Sequence, residues 1–266
     1  MNRDHDLVRR IAALGSPYGL ERSAKIREGV VLDARFLLSV HRAAFGEAPL
    51  ERLKAIGAAF GMPAAICESL GTSLDGADIV HFGFEGGPDA EIYKIYFEYA
   101  ERTRAAMARR EPQPTLVHLA HKWDRLRPGT QALTRYVWSP CRSRADIEAR
   151  LRALAQDNEA ARAMRCTLGL LDRSDSLAQS GRILMMEVEE EGNPRHSWDL
   201  NVYDADLTVA AAADLIEEAA DDFSVPQARI KEFLGGCGNL ALGHLSAGVG
   251  RNGDEFVTFY FGIEPH

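Results

Sequence analysis

Asp78-Ile-Val-His-Phe-Gly-Phe-Glu85, Gly86-Gly87-Pro88-Asp89 and Glu91-Ile-Tyr-Lys-Ile-Tyr-Phe97 read in turn as an outgoing strand, a turn and a returning strand. Gly and Pro punctuate the turn, and β-branched and aromatic residues fill its flanks. The unit recurs three times. Thr115 to Trp123 turns around Pro128-Gly129 and returns as Ala132-Leu-Thr-Arg-Tyr-Val-Trp138. Arg182 to Val188 turns near Gly192-Asn193-Pro194 and returns as Ser197-Trp-Asp-Leu-Asn-Val-Tyr203. Leu240 to Gly248 turns through Arg251-Asn252-Gly253-Asp254 and returns as Phe256-Val-Thr-Phe-Tyr-Phe261. Side chains alternate along a strand, so Tyr93, Ile95 and Phe97 share one face while Ile92, Lys94 and Tyr96 share the other. The apolar face suits packing on helices, and the mixed face suits a lined cavity.

Helical segments separate the hairpins: Tyr99–Arg110, Arg144 to about Asp172, Thr208–Phe223 and Pro226–Leu234. Before them, Leu7, Ile11 and Leu14 recur at helical spacing, as do Leu50, Leu53, Ile56 and Phe60. Val31 to Phe45 reads as a further helix, and Ala64–Gly71 as an extra strand beside the first hairpin. Eight to ten antiparallel strands with one helical layer predict an α/β fold in which a closed antiparallel β-barrel carries its helices outside, because closure removes exposed edges. The expected organisation is one domain over 1–266, mainly helical over 1–62 and built of repeated hairpin and helix units over 63–266.

A formal charge of −8 argues against a broadly basic nucleic-acid-binding surface, though not against a local cationic pocket. No apolar run is long enough to span a membrane, and the N-terminus lacks the apolar core of a signal peptide. Cys67, Cys141, Cys166 and Cys237 are scattered without CxxC spacing, as expected of reduced thiols in a cytoplasmic protein. His118 and His121 face opposite sides of a strand, so they predict no metal pair.

Aligned on tyrosine, the returning strands read Lys94-x-Tyr96, Thr134-x-Tyr136, Asn201-x-Tyr203 and Thr258-x-Tyr260. In each, the polar residue and the tyrosine point the same way. Three outgoing strands carry His81, His118 and His244, and the other carries Met186 at the comparable place. Aromatic faces stabilise a cation and exclude water, while hydroxyls and a lysine can hold phosphate. That combination suits an allylic diphosphate ionising to a carbocation.

On these motifs the chain resembles the ABBA, or PT-barrel, prenyltransferases. His196-Ser-Trp-Asp-Leu-Asn-Val-Tyr203 and the stretch from Leu242 to Gly262 further resemble the cyanobactin-type peptide prenyltransferases. The resemblance covers about Ala64 to the end. It implies transfer of a C5 or C10 group from an allylic diphosphate to a side chain of a ribosomally made, modified peptide. Substrate binding would fall to His81, Lys94, Tyr96, Lys122, Tyr136, Asn201, Tyr203, His244 and Tyr260. The family places a glutamate on the first barrel strand; Glu68 occupies the matching region as base, with Glu85 and Glu187 as lesser candidates. Of the family's cationic wall only Lys94 matches cleanly, with Lys122, Arg182 and His81 as further sources of charge, so the diphosphate is expected to lean on Mg²⁺. The sequence ends about six residues after Tyr260, which favours an open barrel mouth. Two other readings stay open: prenyl transfer to a small free aromatic metabolite, and a non-catalytic barrel that holds a hydrophobic ligand.

Overall fold

A computed structural model describes residues 3–87, 90–155 and 160–266. Pro88 and Asp89 of the first predicted turn, and residues 156–159 within the predicted Arg144–Asp172 helix, lie outside the described residues.

Helix α1 (Arg3–Ala12) leads into β1 (Tyr18–Arg27), the short β2 (Val30–Leu32) and β3 (Arg35–His41). Helices α2 (Pro49–Ala59) and α3 (Ala64–Leu74) follow, then β4 (Ile79–Gly86), β5 (Glu91–Glu98) and α4 (Ala100–Ala108). The second hairpin is β6 (Thr115–Asp124) and β7 (Gln131–Trp138), followed by α5 (Arg144–Leu154), α6 (Ala161–Arg173) and α7 (Asp175–Gln179). Strands β8 (Leu184–Glu190) and β9 (Asn193–Asn201), helices α8 (Ala213–Asp222) and α9 (Gln227–Cys237), and strands β10 (Leu242–Val249) and β11 (Glu255–Pro265) complete the order.

Each strand from β3 to β11 pairs antiparallel with the next, β1 pairs with β3, and β1 also pairs with β11. Ten strands thus close a barrel, with β2 appended to β1. Lys25 sits opposite Thr258, and Ser23 opposite Tyr260, across the closing seam. Closure gives each of the ten barrel strands a neighbour on both sides, removing the bare edges that a flat sheet of this width would carry.

The strands bury one face outward under helices. Phe82, Phe84, Ile95 and Phe97 pack with Leu53, Ile66 and Leu70 of α2 and α3. Trp198, Leu245 and Phe259 pack with Leu170, Ile216 and Ile230 of α6, α8 and α9. Trp198 lies fully buried and donates its indole N–H to Thr167 Oγ1 at 2.8 Å. The other face looks into the barrel, and the alternation predicted for β5 holds, with Tyr93, Ile95 and Phe97 in the outer core.

Three predictions change. Residues 31–45 form β2, β3 and a 3₁₀ turn, not a helix. Apolar residues occur on both faces of β3, so their spacing imitates a helical period. Together with β1, these strands make residues 1–62 a mixed segment rather than a mainly helical one. Conversely, Ala64–Gly71 belongs to α3. Pro63 precedes the helix and Ile66, Leu70 and Leu74 are buried at four-residue spacing, the stripe of a helix lying on a sheet. Finally, Tyr203 falls beyond the end of β9, in a 3₁₀ turn. Among the described residues no helix is long and apolar enough to cross a membrane. Cys67 is partly buried, the other three cysteines are buried, and all four are free thiols.

Candidate active site

The hairpin-turn end of the barrel holds a cavity of about 320 Å³. Its wall gathers eight cations: Lys25 and Arg27 on β1, Arg35 on β3, Lys94 on β5, Lys122 on β6, Arg127 in the β6–β7 turn, Arg195 on β9 and Arg251 in the β10–β11 turn. Strand alternation brings them there. Lys25 and Arg35 follow the same inward phase as Ser23 and Ser39, and Lys94 and Lys122 face each other across the β5–β6 ladder. Gly83 lies opposite Lys94, where an added Cβ would approach the Lys94 side chain to 3.3 Å.

Burial holds the Lys25, Lys94 and Lys122 ammonium groups well below the usual lysine range, and neighbouring cations push in the same direction. Two carboxylates temper this crowd. Glu85 accepts from Lys94 and from Arg35, the latter at 2.8 Å. Glu190 accepts from Arg251 and from Thr134 Oγ1, and Arg195 stands 3.8 Å from it. A third lining carboxylate, Asp124, is bonded to Arg127 at 2.6 Å. Lys25 also lies 4.0 Å over the ring of Phe256, and Lys122 lies 5.9 Å over Tyr136.

Tyr136 and Tyr260 reach the cavity from below. The Tyr96 and Tyr136 rings sit 5.7 Å apart. Burial raises the phenol pKa of Tyr96, Tyr136 and Tyr260, so all three remain neutral hydroxyls around pH 7. Thr134 and Thr258 are buried in the same interior wall.

Under the tyrosine layer the chemistry reverses. The ring of Tyr260 stacks on His244 at 3.8 Å. His244 Nδ1 bonds Asp199 at 2.9 Å, and its Nε2 stands 3.4 Å from Glu21. Burial alone would lower the His244 pKa, but the Asp199 and Glu21 carboxylates outweigh it and raise it to about 10. Glu21 is buried on β1 and also accepts from the Tyr203 hydroxyl. Gly243 permits this approach, since a Cβ there would stand 2.2 Å from the Tyr203 ring. Asn201, cross-strand from His244, accepts from the Tyr203 backbone N–H at 3.3 Å.

Of the residues proposed from sequence, Lys94, Lys122, Tyr136 and Tyr260 line the cavity and Tyr96 supports it from beneath. His244, Tyr203 and Asn201 gather around Glu21 and Asp199 instead. His81 is in the interior, yet at the helix-bearing end, bonded to Glu98 at 2.8 Å. Glu68 is corrected: it lies exposed on helix α3, outside the barrel, because the segment taken for the first barrel strand is helical. The first barrel strand is β1, and its buried glutamate is Glu21. Glu187 faces outward, held by both guanidinium nitrogens of Arg150 at 2.6 and 2.7 Å. Arg182 pairs with Asp204 on the surface. Lys25, Arg35, Arg195 and Glu21 escaped the sequence reading; the alternation Glu21, Ser23, Lys25 against Ala24, Ile26 was the signal available for β1.

No family model matches the chain, and no curated protein is similar to it in sequence. Solved structures are similar in fold. PriB, a prenyltransferase crystallised with L-tryptophan and dimethylallyl thiolodiphosphate, superposes with a TM-score of 0.62 at 16% identity, covering 91% of this chain and 79% of PriB. The 5-dimethylallyltryptophan synthase of Streptomyces coelicolor gives a TM-score of 0.58 at 15% identity, over 91% of this chain and 80% of the synthase. AnaPT from Neosartorya fischeri gives 0.53 at 14% identity, over 91% and 77%. The fold is therefore the closed barrel of these proteins.

Proposed function

We propose that this protein is a prenyltransferase that moves a C5 or C10 allylic group from its diphosphate to a side chain of a ribosomally made, modified peptide. The observation that carries the reading is the convergence of eight cations on one cavity floored by tyrosines. Cations and phenol hydroxyls would bind the diphosphate oxygens and stabilise the charge that develops as the allylic C–O bond breaks. The rings of Tyr96, Tyr136 and Tyr260 would screen the resulting carbocation from water. The acceptor then forms the new bond to the allylic carbon, diphosphate departs, and the acceptor's proton passes to a base. Glu21 takes that role in this reading, held by Tyr203 and His244 on the strand where the resembling family keeps its glutamate.

Five carboxylates line the cavity: Glu85, Glu190, Asp124 and Glu255 are each engaged by an arginine or lysine, and Asp254 is exposed in the β10–β11 turn. Most of these oxygens are already paired, so the reading balances the diphosphate charge with the chain's own cations and routes no step through a metal. The charge that the sequence alone assigned to Mg²⁺ is available from Lys25, Arg35, Lys122, Arg195 and Arg251.

Support for a peptide acceptor comes from size and access. A volume near 320 Å³ is at the small end of the roughly 300–1,000 Å³ typical of ligand sites, enough for the donor. The cavity opens among exposed turn residues such as Arg127, Thr130 and Asn252, over which a peptide could present a side chain. A second reading, a free aromatic metabolite as acceptor, is favoured by the L-tryptophan bound in PriB.

The test is incubation with dimethylallyl or geranyl diphosphate and a peptide panel alongside free tryptophan, with and without EDTA, read by mass. Prenyl mass on peptide with EDTA present is expected. Prenyl mass on tryptophan alone would favour the second reading. No prenyl product and no diphosphate binding would leave the hydrophobic-ligand barrel.

A further inference from the structure

At the helix-bearing end of the interior, away from the cationic cavity, His81 on β4, Glu98 on β5 and His118 on β6 come together. One ligating atom from each lies within 4.8 Å of the others. It is the single such group of histidine, cysteine or acidic residues among the described residues. We propose that these three side chains form a binding site for a transition-metal dication of the Zn²⁺ class.

Topology makes the cluster. Glu98 is directly cross-strand from His118, and His81 lies diagonally across the β4–β5 ladder beside Tyr96. All three therefore project from neighbouring strands onto one patch of the inner wall. The two imidazole rings sit 5.6 Å apart at a steep angle of 72°, so they do not stack.

The hydrogen bonds around the cluster orient its imidazoles. His81 Nδ1 bonds the Ser39 hydroxyl at 2.8 Å while its Nε2 faces Glu98 at 2.8 Å. A hydrogen bond on one ring nitrogen fixes the tautomer that leaves the other free to ligate. His118 supplies the second observation: its Nδ1 is one of two buried side-chain nitrogen or oxygen atoms without a hydrogen-bond partner among the described residues. Buried polar atoms are seldom left unpaired, and a metal bond is one way to satisfy an imidazole.

A simple histidine–carboxylate hydrogen bond would need His81 and Glu98 only. The second histidine and the serine behind the first are what a metal shell adds. Two imidazoles and one carboxylate suit Zn²⁺ and its neighbours, whereas Ca²⁺ and Mg²⁺ prefer oxygen donors throughout. Three protein ligands leave a fourth tetrahedral position for water or another small ligand. Partial exposure of Glu98 and His118 supplies an entry path. An ion here would fasten β4, β5 and β6 together.

The test uses the full chain stripped with chelator and titrated with Co²⁺ and Zn²⁺. The expected result is one ion per chain, with the intense visible bands of four-coordinate Co²⁺, and a melting temperature that rises with Zn²⁺ concentration. Glu98→Gln and His118→Gln should each weaken binding by more than about tenfold, since even second-shell losses cost 10–100-fold. His121→Gln, altering a histidine that faces outward to Ser73, should bind as the unaltered chain does. Absence of stoichiometric binding, a weak six-coordinate Co²⁺ spectrum, or unchanged affinity in Glu98→Gln would overturn the proposal. Should a variant fail to fold by circular dichroism, the Co²⁺ spectrum of the unaltered chain decides alone.

Discussion

The two ends of the barrel's interior are built from the same strands and hold opposite chemistry. Strand β5 sends Lys94 to the turn end and Glu98 to the helix end; β6 sends Lys122 one way and His118 the other; β1 divides Lys25 from Glu21. Four residues along a strand span only about 13 Å. Over that distance the wall passes from crowded cations to carboxylates bonded to histidines. Tyr96 and Tyr136, both buried, and the half-buried Tyr260 stand between as neutral phenols. A strand's two-residue alternation decides which side chains enter a barrel; its length decides how many separate environments the interior can hold. The net charge of −8 therefore says little about a protein whose cavity is the reverse of its surface.

The largest way to separate the two ends is to alter Glu21. Glu21→Gln is expected to lower prenyl turnover by about 10²–10⁴, the span of general-base contributions, while diphosphate affinity measured by calorimetry stays unchanged. An equal loss of affinity would mean that the ends do not act independently.

A smaller effect is expected at the turn end. Lys94→Met should weaken inorganic diphosphate binding by about 10–100-fold, the scale of one lost hydrogen bond to a charged group. Folding stability should not fall in parallel, because Lys94 is buried among like charges and Glu85 keeps Arg35. Binding to the unaltered protein should also draw in protons. An anion raises the depressed lysine pKa values, so affinity should decline as pH rises, and calorimetric heats should vary with buffer ionisation enthalpy.

The smallest expected effect is an acid limb from the helix end. His118 is lowered from 6.5 to about 4, so the unfolded chain takes up its proton first and stability is lost as pH falls between those values. Burial would raise the Glu98 pKa, but its hydrogen bond to His81 lowers it from 4.5 to about 2, and that contribution is lost as pH falls across that lower interval. Urea midpoints between pH 7 and 4 should drop less for His118→Gln than for the unaltered chain.

The four hairpins were legible because their turns and two-residue periods are local. Lys94-x-Tyr96 was legible for the same reason. Residues 31–45 were misread because β3 carries Leu37 and Leu38 side by side, hiding its period, and Arg35 was lost with it. Ala64–Gly71 was misread despite the helical spacing of Ile66 and Leu70, and Glu68 went wrong with it. Of the cationic cavity, only Lys94 and Lys122 were legible. Lys25, Arg35, Lys122, Arg195 and Arg251 meet only after closure, and no spacing along the chain records that meeting.

The seam between β1 and β11 also sets a timetable. Lys25 pairs across from Thr258, so β1 waits for a strand made long after it. Such distant pairings are slow to form because loop-closure entropy is spent before contacts repay it. A nascent chain paused after β10 carries two bare edges, on β1 and β10, and has no enclosed interior. Ligand-binding competence should therefore arrive abruptly, once β11 docks. Until β11 docks, the partly made protein depends on being kept from its neighbours.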